Sequence, residues 1–266
     1  MENGGILMVH TALITGASSG FGFEFAKIFA SKGYNLVLCA RSEDKLRKLA
    51  KALEDRYEIK ALVFRQDLTA LDGAKALYDF TEAEGCQVEI LINNAGFGDY
   101  GRFAGSNLAK QEQMIDLNVR TLTSLTHLYL PGMISRGYGR ILNVASIASF
   151  LPGPMMSVYY ATKAYVLSFT ESISCELKGT GVTVTALCPG PTNTGFTKLA
   201  EMPQNGRIAD YFRFTRPVDV ARYGFKALMR GQVIAVPGVL NKIGATAGRL
   251  APKGIARNIV YKFQQE

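Results

Sequence analysis

Three polar residues have types and a spacing that suit proton transfer. Tyr159 and Lys163 are four residues apart, and Ser146 lies 13 residues before the tyrosine. Positions i and i+4 of a helix share a face, so the lysine ammonium can lie beside the phenol. A cation about 5 Å away, at an effective dielectric of about 20, favours phenolate by roughly 3 kcal/mol. We therefore predict that Tyr159 has a pKa lowered towards neutrality and exchanges a proton with a substrate.

A glycine-rich turn follows the first apolar run of the chain. Its three glycines are spaced G-x3-G-x-G, between a predicted strand and a predicted helix. Glycine allows the backbone to approach a phosphate closely, and a helix N-terminus offers free N–H groups to an anion. The turn therefore predicts a dinucleotide site. The residues expected to contact the nucleotide here are Gly16, Ser18, Ser19, Gly20, Phe21 and Gly22.

The end of the second apolar run indicates which dinucleotide is bound. An acidic residue at this point would accept hydrogen bonds from a ribose 2′-hydroxyl and repel a 2′-phosphate. The run Leu36–Arg41 contains no acid, and Glu43 and Asp44 follow only in the next predicted helix. The Arg41 guanidinium can bind a phosphate through charge-assisted hydrogen bonds. We predict NADP(H) as the preferred cofactor, with NAD(H) as the alternative. A surface Arg41 that pairs with the nearby acids is the simpler interpretation.

Apolar strand-like runs alternate with helix-length segments along the chain. The predicted strands are Thr11–Thr15, Asn35–Ala40, Ala61–Arg65, Ile90–Asn93, Arg140–Ala145, Val182–Cys188 and Val233–Val236. The predicted helices are roughly Phe21–Lys32, Glu43–Arg56, Ala70–Glu84, Lys110–Arg136, Ser157–Lys178, Pro217–Met229 and a last one within Asn241–Lys262. Continuous Val, Ile and Leu runs indicate strands buried on both faces. The pattern predicts an α/β Rossmann fold, a doubly wound parallel β-sheet with helices on both faces, as a single domain over residues 1–266.

One long irregular connection, at about residues 190–216, interrupts this alternation. It leaves the sixth strand at the carboxyl edge of the sheet, where ligands bind in open α/β sheets. We predict a substrate lid here, with an ordinary surface excursion as the alternative. Its apolar residues, and those that follow Ser146, suggest an apolar substrate. They are Phe196, Leu199, Met202, Tyr211 and Phe212, and Phe150, Leu151, Met155 and Met156.

Composition and charge limit the remaining classes. Two histidines and four cysteines without a CxxC pair form no familiar zinc pattern, and they favour a reducing, cytoplasmic setting. We expect neither a signal peptide nor a membrane span. The net charge is +8, and residues 239–266, the basic tail, contribute +4 of it. A solvated helical face is the simplest interpretation of the tail, with peripheral membrane contact or subunit contact as alternatives. No basic–aromatic run predicts a nucleic-acid partner.

These motifs together resemble the short-chain dehydrogenase/reductase family, in the branch with TGxxxGxG and YxxxK motifs. The resemblance covers nearly the whole chain, because the motifs occur in the expected order. They are Thr15–Gly22, Asp67, Asn93–Gly96, Asn118, Ser146, Tyr159–Lys163 and Cys188–Gly190. Relatives that prefer NADP often carry a basic residue within the glycine motif, where this chain has Ser18 and Ser19. The predicted NADP preference therefore rests on Arg41.

The resemblance implies roles for the conspicuous residues. Tyr159 exchanges a proton with the substrate oxygen, which Ser146 holds. Lys163 lowers the pKa of the tyrosine and binds the nicotinamide ribose, and Tyr159 is implied as a cofactor contact as well. Asn118 anchors a water in a proton relay. The further implied cofactor contacts are Asp67 with the adenine, Thr192 with the nicotinamide carboxamide, and Asn94, Ala95, Gly96, Pro189 and Gly190. By contrast, Tyr160 and His127 are interpreted as packing residues.

The resulting prediction is an enzyme. It is an NADP(H)-dependent oxidoreductase that interconverts a ketone or aldehyde and an alcohol, on a small apolar substrate. The family resemblance also implies a homodimer or homotetramer. The alternatives are an NAD-linked alcohol dehydrogenase, and a nucleotide-binding redox sensor that acts as an interaction partner.

Overall fold

A seven-stranded parallel sheet forms the centre of the protein. The computed structural model describes residues 10–196, 200, 201, 215–250, 254, 257, 258 and 260–262. The strands are β1 Thr11–Thr15, β2 Asn35–Ala40, β3 Ala61–Arg65, β4 Val88–Asn93, β5 Gly139–Val144, β6 Val182–Leu187 and β7 Ile234–Ala235. Their order is β3-β2-β1-β4-β5-β6-β7, with every pairing parallel. This confirms the predicted fold class, and it places the change of winding direction between β1 and β4.

Helices cover both faces of this sheet. They are α1 Gly20–Ala30, α2 Glu43–Tyr57, α3 Gly73–Ala83, α4 Leu108–Ile115, α5 Leu122–Ser135, α6 Ser157–Glu176, α7 Pro217–Met229 and α8 Val239–Leu250. Successive strand residues point to opposite faces, so Leu13 and Ile14 enter different cores. On one face, Phe25 and Phe29 of α1 are fully buried. On the other face, the buried Leu77 of α3 packs in the second core.

The helix predicted roughly over Lys110–Arg136 is present, but it contains a π-helical segment that the sequence does not predict. The structure has α4, then a π-helical segment over Asp116–Thr121, then α5. A π-helical turn inserts a residue into the helical repeat. This directs the buried Asn118 and Thr121 inward, where the Thr121 hydroxyl donates to the Leu68 carbonyl at 2.5 Å. Periodicity cannot reveal such an insertion, because the apolar pattern continues on both sides of it.

Two short 3-10 helices and the C-terminal region complete the description. The 3-10 helices cover Phe103–Gly105 and Ile147–Phe150, and neither is predicted from the sequence. The last predicted helix begins at Val239, and residues 254, 257, 258 and 260–262 are also helical. Most of the predicted lid, including Leu199, Met202, Tyr211 and Phe212, lies outside the described residues. Within the described part of the chain, no helix is long and apolar enough to cross a bilayer.

Candidate active site

A cavity of about 990 Å³ opens at the carboxyl ends of the strands. It is lined by residues that follow β1, β2, β3, β4, β5 and β6, which is where ligands bind in an open parallel sheet. The predicted site residues that line it are Gly16, Ser18, Ser19, Gly20, Phe21, Arg41, Asp67, Asn94, Ala95, Gly96, Ser146, Tyr159, Lys163, Pro189, Gly190 and Thr192. Gly22 and Asn118 are not among the lining residues. One cavity therefore joins the predicted nucleotide turn to the predicted proton-transfer residues.

The glycine turn has no room for a side chain at Gly16 or Gly22. Gly16 has φ +67°, and a Cβ there would lie 2.8 Å from the Asn94 Nδ2 and 3.0 Å from the Ala95 Cα. A Cβ on Gly22 would meet the Gly16 carbonyl oxygen and lie 2.6 Å from the same Asn94 nitrogen. Because Gly16 and Gly22 carry no side chains, the turn packs directly against the loop that follows β4. The turn therefore fits the pyrophosphate of a dinucleotide.

Thr15 ties the end of β1 to the loop after β4. Its hydroxyl accepts hydrogen bonds from the backbone N–H groups of Asn94 and Ala95, both at 3.0 Å, and donates to the Ile92 carbonyl at 3.2 Å. The Asn94 side chain donates in turn to the Thr15 carbonyl at 2.8 Å. Asn94 thus positions the glycine turn through its side chain while also lining the cavity.

Arg41 and Asp67 form the end of the cavity beyond β2 and β3. Arg41 is exposed, and it makes no ion pair with another described residue. The nearby Glu43 pairs with Arg47 instead, at 2.6 Å. Asp67 accepts hydrogen bonds from the backbone and hydroxyl of Thr69, at 3.0 and 2.8 Å. Burial acts to raise the pKa of Asp67, but these bonds and the charge of Arg41 prevail and lower it. The structure therefore gives no support to the interpretation in which Arg41 pairs with Glu43 or Asp44.

Ser146 begins the 3-10 helix that follows β5. Its hydroxyl accepts a hydrogen bond from the Ala148 N–H at 3.1 Å. The turn is held on two sides, because the Ile147 N–H donates to the Pro189 carbonyl at 3.0 Å and the Ser149 hydroxyl donates to the Lys163 carbonyl at 2.7 Å. The Ser146 side chain is close enough to the Tyr159 phenol to act on its pKa. The predicted substrate-binding serine and proton donor therefore lie side by side.

The environment of Tyr159 differs from the sequence-based expectation. Burial raises the pKa of its phenol, while Ser146 acts to lower it and Tyr160 acts to raise it. The expected lowering of this pKa by Lys163 is therefore wrong. Desolvation disfavours the phenolate more strongly than its neighbours favour it. Tyr159 is held as the neutral, proton-bearing form.

Lys163 is buried one helical turn further along α6. Its Nζ donates to the Val144 carbonyl at 2.7 Å and lies 5.8 Å from the centroid of the Tyr159 ring. Burial lowers the pKa of Lys163 to about 8, with the nearby Cys188 acting in the opposite direction. A buried ammonium that lines a cavity is suited to receive hydroxyl oxygens of a ligand.

Asn118 lies in the π-helical segment, behind the cavity wall. Its Oδ1 accepts from the Phe97 N–H at 3.1 Å, and its Nδ2 donates to the Phe97 carbonyl at 2.9 Å and to the Thr162 hydroxyl at 3.1 Å. A Cβ on Gly96 would lie 2.8 Å from Oδ1 and 3.5 Å from the Lys163 Nζ. The amide therefore fastens the loop after β4 to α6. The proton relay through Asn118 stays a prediction.

Aromatic and apolar side chains line the cavity near Tyr159. They are Phe97, Leu151, Met156, Tyr160 and Phe196. The Tyr160 ring packs where a Cβ on Gly153 would lie, as expected of a packing residue, and it also lines the cavity. His127 is exposed and is not a lining residue, and neither are Phe150 and Met155.

Some lining residues have no signal in the sequence. Lys110 and Gln113 of α4 line the cavity, as do Gly244 of α8 and Val260. Their contribution depends on how helices distant in the sequence pack against the strand ends. Phe97 is the exception, since it directly follows the Asn-Asn-Ala-Gly motif.

The fold and this cavity define a dinucleotide-dependent oxidoreductase. The family model described as short chain dehydrogenase matches residues 10–204. The chain therefore belongs to the short-chain dehydrogenase/reductase family and is an NAD(P)-dependent oxidoreductase.

Individual relatives cover most of the chain. Sulfoacetaldehyde reductase 2 of Chromohalobacter salexigens is 36% identical over 82% of this chain and 88% of its own length. A short-chain dehydrogenase from Sphingobium yanoikuyae, in complex with NADPH, superposes with a TM-score of 0.81 at 31% identity, over 90% of this chain and 93% of that one. A family member from Burkholderia phymatum, in complex with NAD, gives a TM-score of 0.80 at 28% identity, over 90% and 92% of the two chains.

Proposed function

We propose that the protein is an NADP(H)-dependent carbonyl reductase that converts an apolar ketone or aldehyde to the alcohol. One observation carries the proposal: a continuous cavity places the glycine turn and Arg41 at one end, and Ser146, Tyr159 and Lys163 beside apolar side chains. The nicotinamide, when bound, supplies the hydride or accepts it. The protein binds the substrate, orients it and supplies the proton.

The proton is supplied by Tyr159 in this proposal. Its raised pKa keeps the phenol protonated at neutral pH, so a proton is available to the strongly basic alkoxide oxygen that forms as the carbonyl is reduced. Ser146 holds the same oxygen and polarises the carbonyl through its hydroxyl. Lys163, with a pKa of about 8, is largely protonated at pH 7. Its positive charge stabilises the phenolate that is left after Tyr159 donates its proton. Asn118 anchors the water that returns the proton.

The remaining cofactor contacts follow the shape of the cavity. Asp67 binds the adenine amino group with the carboxylate oxygen that Thr69 leaves free. Thr192 is buried and donates to the Gly190 carbonyl at 2.9 Å, and we assign it to the nicotinamide carboxamide. Lys163 binds the nicotinamide ribose. These assignments are supported by position along one cavity wall.

Replacing Arg41 with alanine is expected to weaken NADPH binding by about 10- to 100-fold, because charge-assisted hydrogen bonds contribute about 1.5–3 kcal/mol. NADH binding should change little, since NADH has no 2′-phosphate. Fluorescence titration with both nucleotides measures the difference between the NADPH and NADH dissociation constants. Arg47→Ala is the matched control, because Arg47 is an exposed arginine that pairs with Glu43 and does not line the cavity. Equal or tighter NADH binding by the wild type would reject the NADP assignment and favour an NAD-linked alcohol dehydrogenase.

The substrate class rests on the apolar lining around Tyr159. We expect NADPH oxidation with apolar ketones or aldehydes in a spectrophotometric panel that also includes sulfoacetaldehyde. Sulfoacetaldehyde is included because a relative with 36% identity is named sulfoacetaldehyde reductase 2. Preferential turnover of sulfoacetaldehyde would overturn the apolar assignment and retain the carbonyl reductase. Tight NADPH binding without turnover of any carbonyl would instead favour the redox-sensor alternative.

The proposal also covers the cellular location and the oligomeric state of the protein. All four cysteines are free, which supports a reducing, cytoplasmic location. Ile115 and Tyr165 are exposed apolar residues on α4 and α6. Such a face is suited to isologous pairing in a homodimer or homotetramer. We retain the single domain over 1–266 and the lid at about 190–216 as parts of the same proposal.

A further inference from the structure

Helix α8 exposes several large apolar side chains on one side. Val239, Ile243 and Leu250 are 73%, 60% and 80% exposed, and the neighbouring Leu240 is 78% exposed. The first three occupy positions i, i+4 and i+11, which lie on one side of a helix. Exposed leucine or isoleucine side chains are ordinary when scattered, but their concentration on one helical face indicates an interaction surface.

The opposite side of α8 is anchored to the protein, which fixes the direction of the apolar face. Ala245 is buried, a Cβ on Gly248 would lie 3.0 Å from the Leu151 side chain, and Asn241 occupies the space beside Gly190. Arg249 adds an ion pair with Glu171 at 3.0 Å. The helix is therefore held along its inner side while its apolar side faces outward.

Basic residues are exposed on α8 and further along the chain. Lys242 lies on α8 and is exposed, as are Arg257 and Lys262 further along the chain. The basic tail, residues 239–266, has five basic residues and one acidic residue. An isologous contact would bring two such tails together, and their like charges would repel. A partner with an anionic surface would attract the basic residues, and an apolar interior would bury the exposed apolar side chains. An anionic bilayer has both properties.

The surface is also continuous with the cavity. Gly244 lies on α8 between the exposed Ile243 and the buried Ala245, and it lines the cavity together with Val260. A bilayer in contact with α8 would therefore lie next to the cavity wall. This position suits the delivery of an apolar molecule from the lipid phase.

We propose that α8 docks the protein onto an anionic phospholipid bilayer, lying in the plane of the interface with its apolar side chains against the acyl chains and with Lys242, Arg257 and Lys262 attracted to the headgroups. The proposal concerns location, and it holds or fails independently of the cofactor and of turnover. Binding requires both parts of the surface, since apolar area supplies insertion and basic residues supply attraction to the headgroups.

The test is co-sedimentation of the full-length protein with vesicles, without cofactor or substrate. We expect binding to vesicles of phosphatidylcholine with phosphatidylglycerol, little binding to phosphatidylcholine alone, and weaker binding as salt rises. Ile243→Asp places a charge in the apolar face and should reduce the partition coefficient by about tenfold or more. Lys242→Glu should reduce it by about tenfold on anionic vesicles.

Leu71→Asp is the matched control for the apolar substitution, because Leu71 is 88% exposed and precedes α3. It should bind vesicles like the wild type. Thermal unfolding and NADPH titration show whether each variant is folded. Absence of wild-type binding to anionic vesicles at low salt overturns the proposal, as does equal binding by Ile243→Asp. A change of oligomeric state in Ile243→Asp, seen by size-exclusion chromatography, together with no wild-type vesicle binding, would assign the face to subunit contact instead.

Discussion

Replacing Tyr159 with phenylalanine is expected to lower kcat for carbonyl reduction by about 10²- to 10⁴-fold, the contribution typical of a positioned acid. The substitution removes the hydroxyl and keeps the ring, whose centroid lies 5.2 Å from that of Phe196 and 6.1 Å from that of Tyr160. The walls of the cavity should therefore persist, and the NADPH Kd should stay nearly unchanged. Steady-state kinetics at saturating NADPH and a fluorescence titration measure the two quantities.

Tyr165→Phe provides the matched control on the same helix. Tyr165 lies outside the cavity lining, and its hydroxyl is hydrogen-bonded to Thr123 at 2.9 Å. The control should retain wild-type kcat. If Tyr159→Phe reduces carbonyls at a rate comparable to the wild type, Tyr159 is not the proton donor. If it loses NADPH affinity while kcat at saturating NADPH is unchanged, the hydroxyl acts in binding rather than in proton transfer.

The sequence predicts the parallel sheet and the residues grouped at its edge for a simple geometric reason. Parallel strands present all their carboxyl ends at one edge, so residues that follow successive strands converge there. Gly16, Arg41, Asn94, Ser146 and Pro189 each follow a different strand, and all line one cavity. Motif order along the chain is therefore enough to predict their proximity.

The electrostatics of the same residues could not be predicted from spacing. The i, i+4 relation correctly puts Lys163 close to Tyr159, but it says nothing about the burial of either group. Burial raises the pKa of the phenol and lowers that of the ammonium, so each group favours its neutral form more than the pair alone suggests. Desolvation depends on all surrounding chain segments, and no local pattern encodes it.

The contacts of Asn118 illustrate a second limit. Its place in a motif predicts a function, and the structure shows its amide bound to the backbone of Phe97 and to Thr162. Those bonds depend on the π-helical segment, whose extra residue has no apolar signature. The contributions of α4 and α8 to the cavity are likewise tertiary, since neither helix carries a motif.

Replacing Gly22 with alanine is expected to destabilise the protein by about 1–3 kcal/mol, the usual cost of overpacking, and to weaken NADPH binding by more than about tenfold. The new methyl group would meet the Gly16 carbonyl oxygen and the Asn94 Nδ2, 2.6 Å away. Neither can retreat easily: Gly16 lies against Ala95, and the Asn94 nitrogen donates to the Thr15 carbonyl at 2.8 Å. The glycine turn must therefore move, and with it the N–H groups that face the cofactor.

Gly105→Ala separates this steric effect from the general effect of adding a methyl group. Gly105 is outside the cavity lining, has no atoms within 4 Å of the added Cβ, and does not have a positive φ. The free energy of unfolding of the Gly105→Ala variant should stay within about 0.5 kcal/mol of the wild-type value. Urea denaturation and NADPH titration of both variants measure the difference. Wild-type stability and affinity in Gly22→Ala would show that the turn yields without cost, and that the close packing of Gly22 against Gly16 does not position the cofactor site.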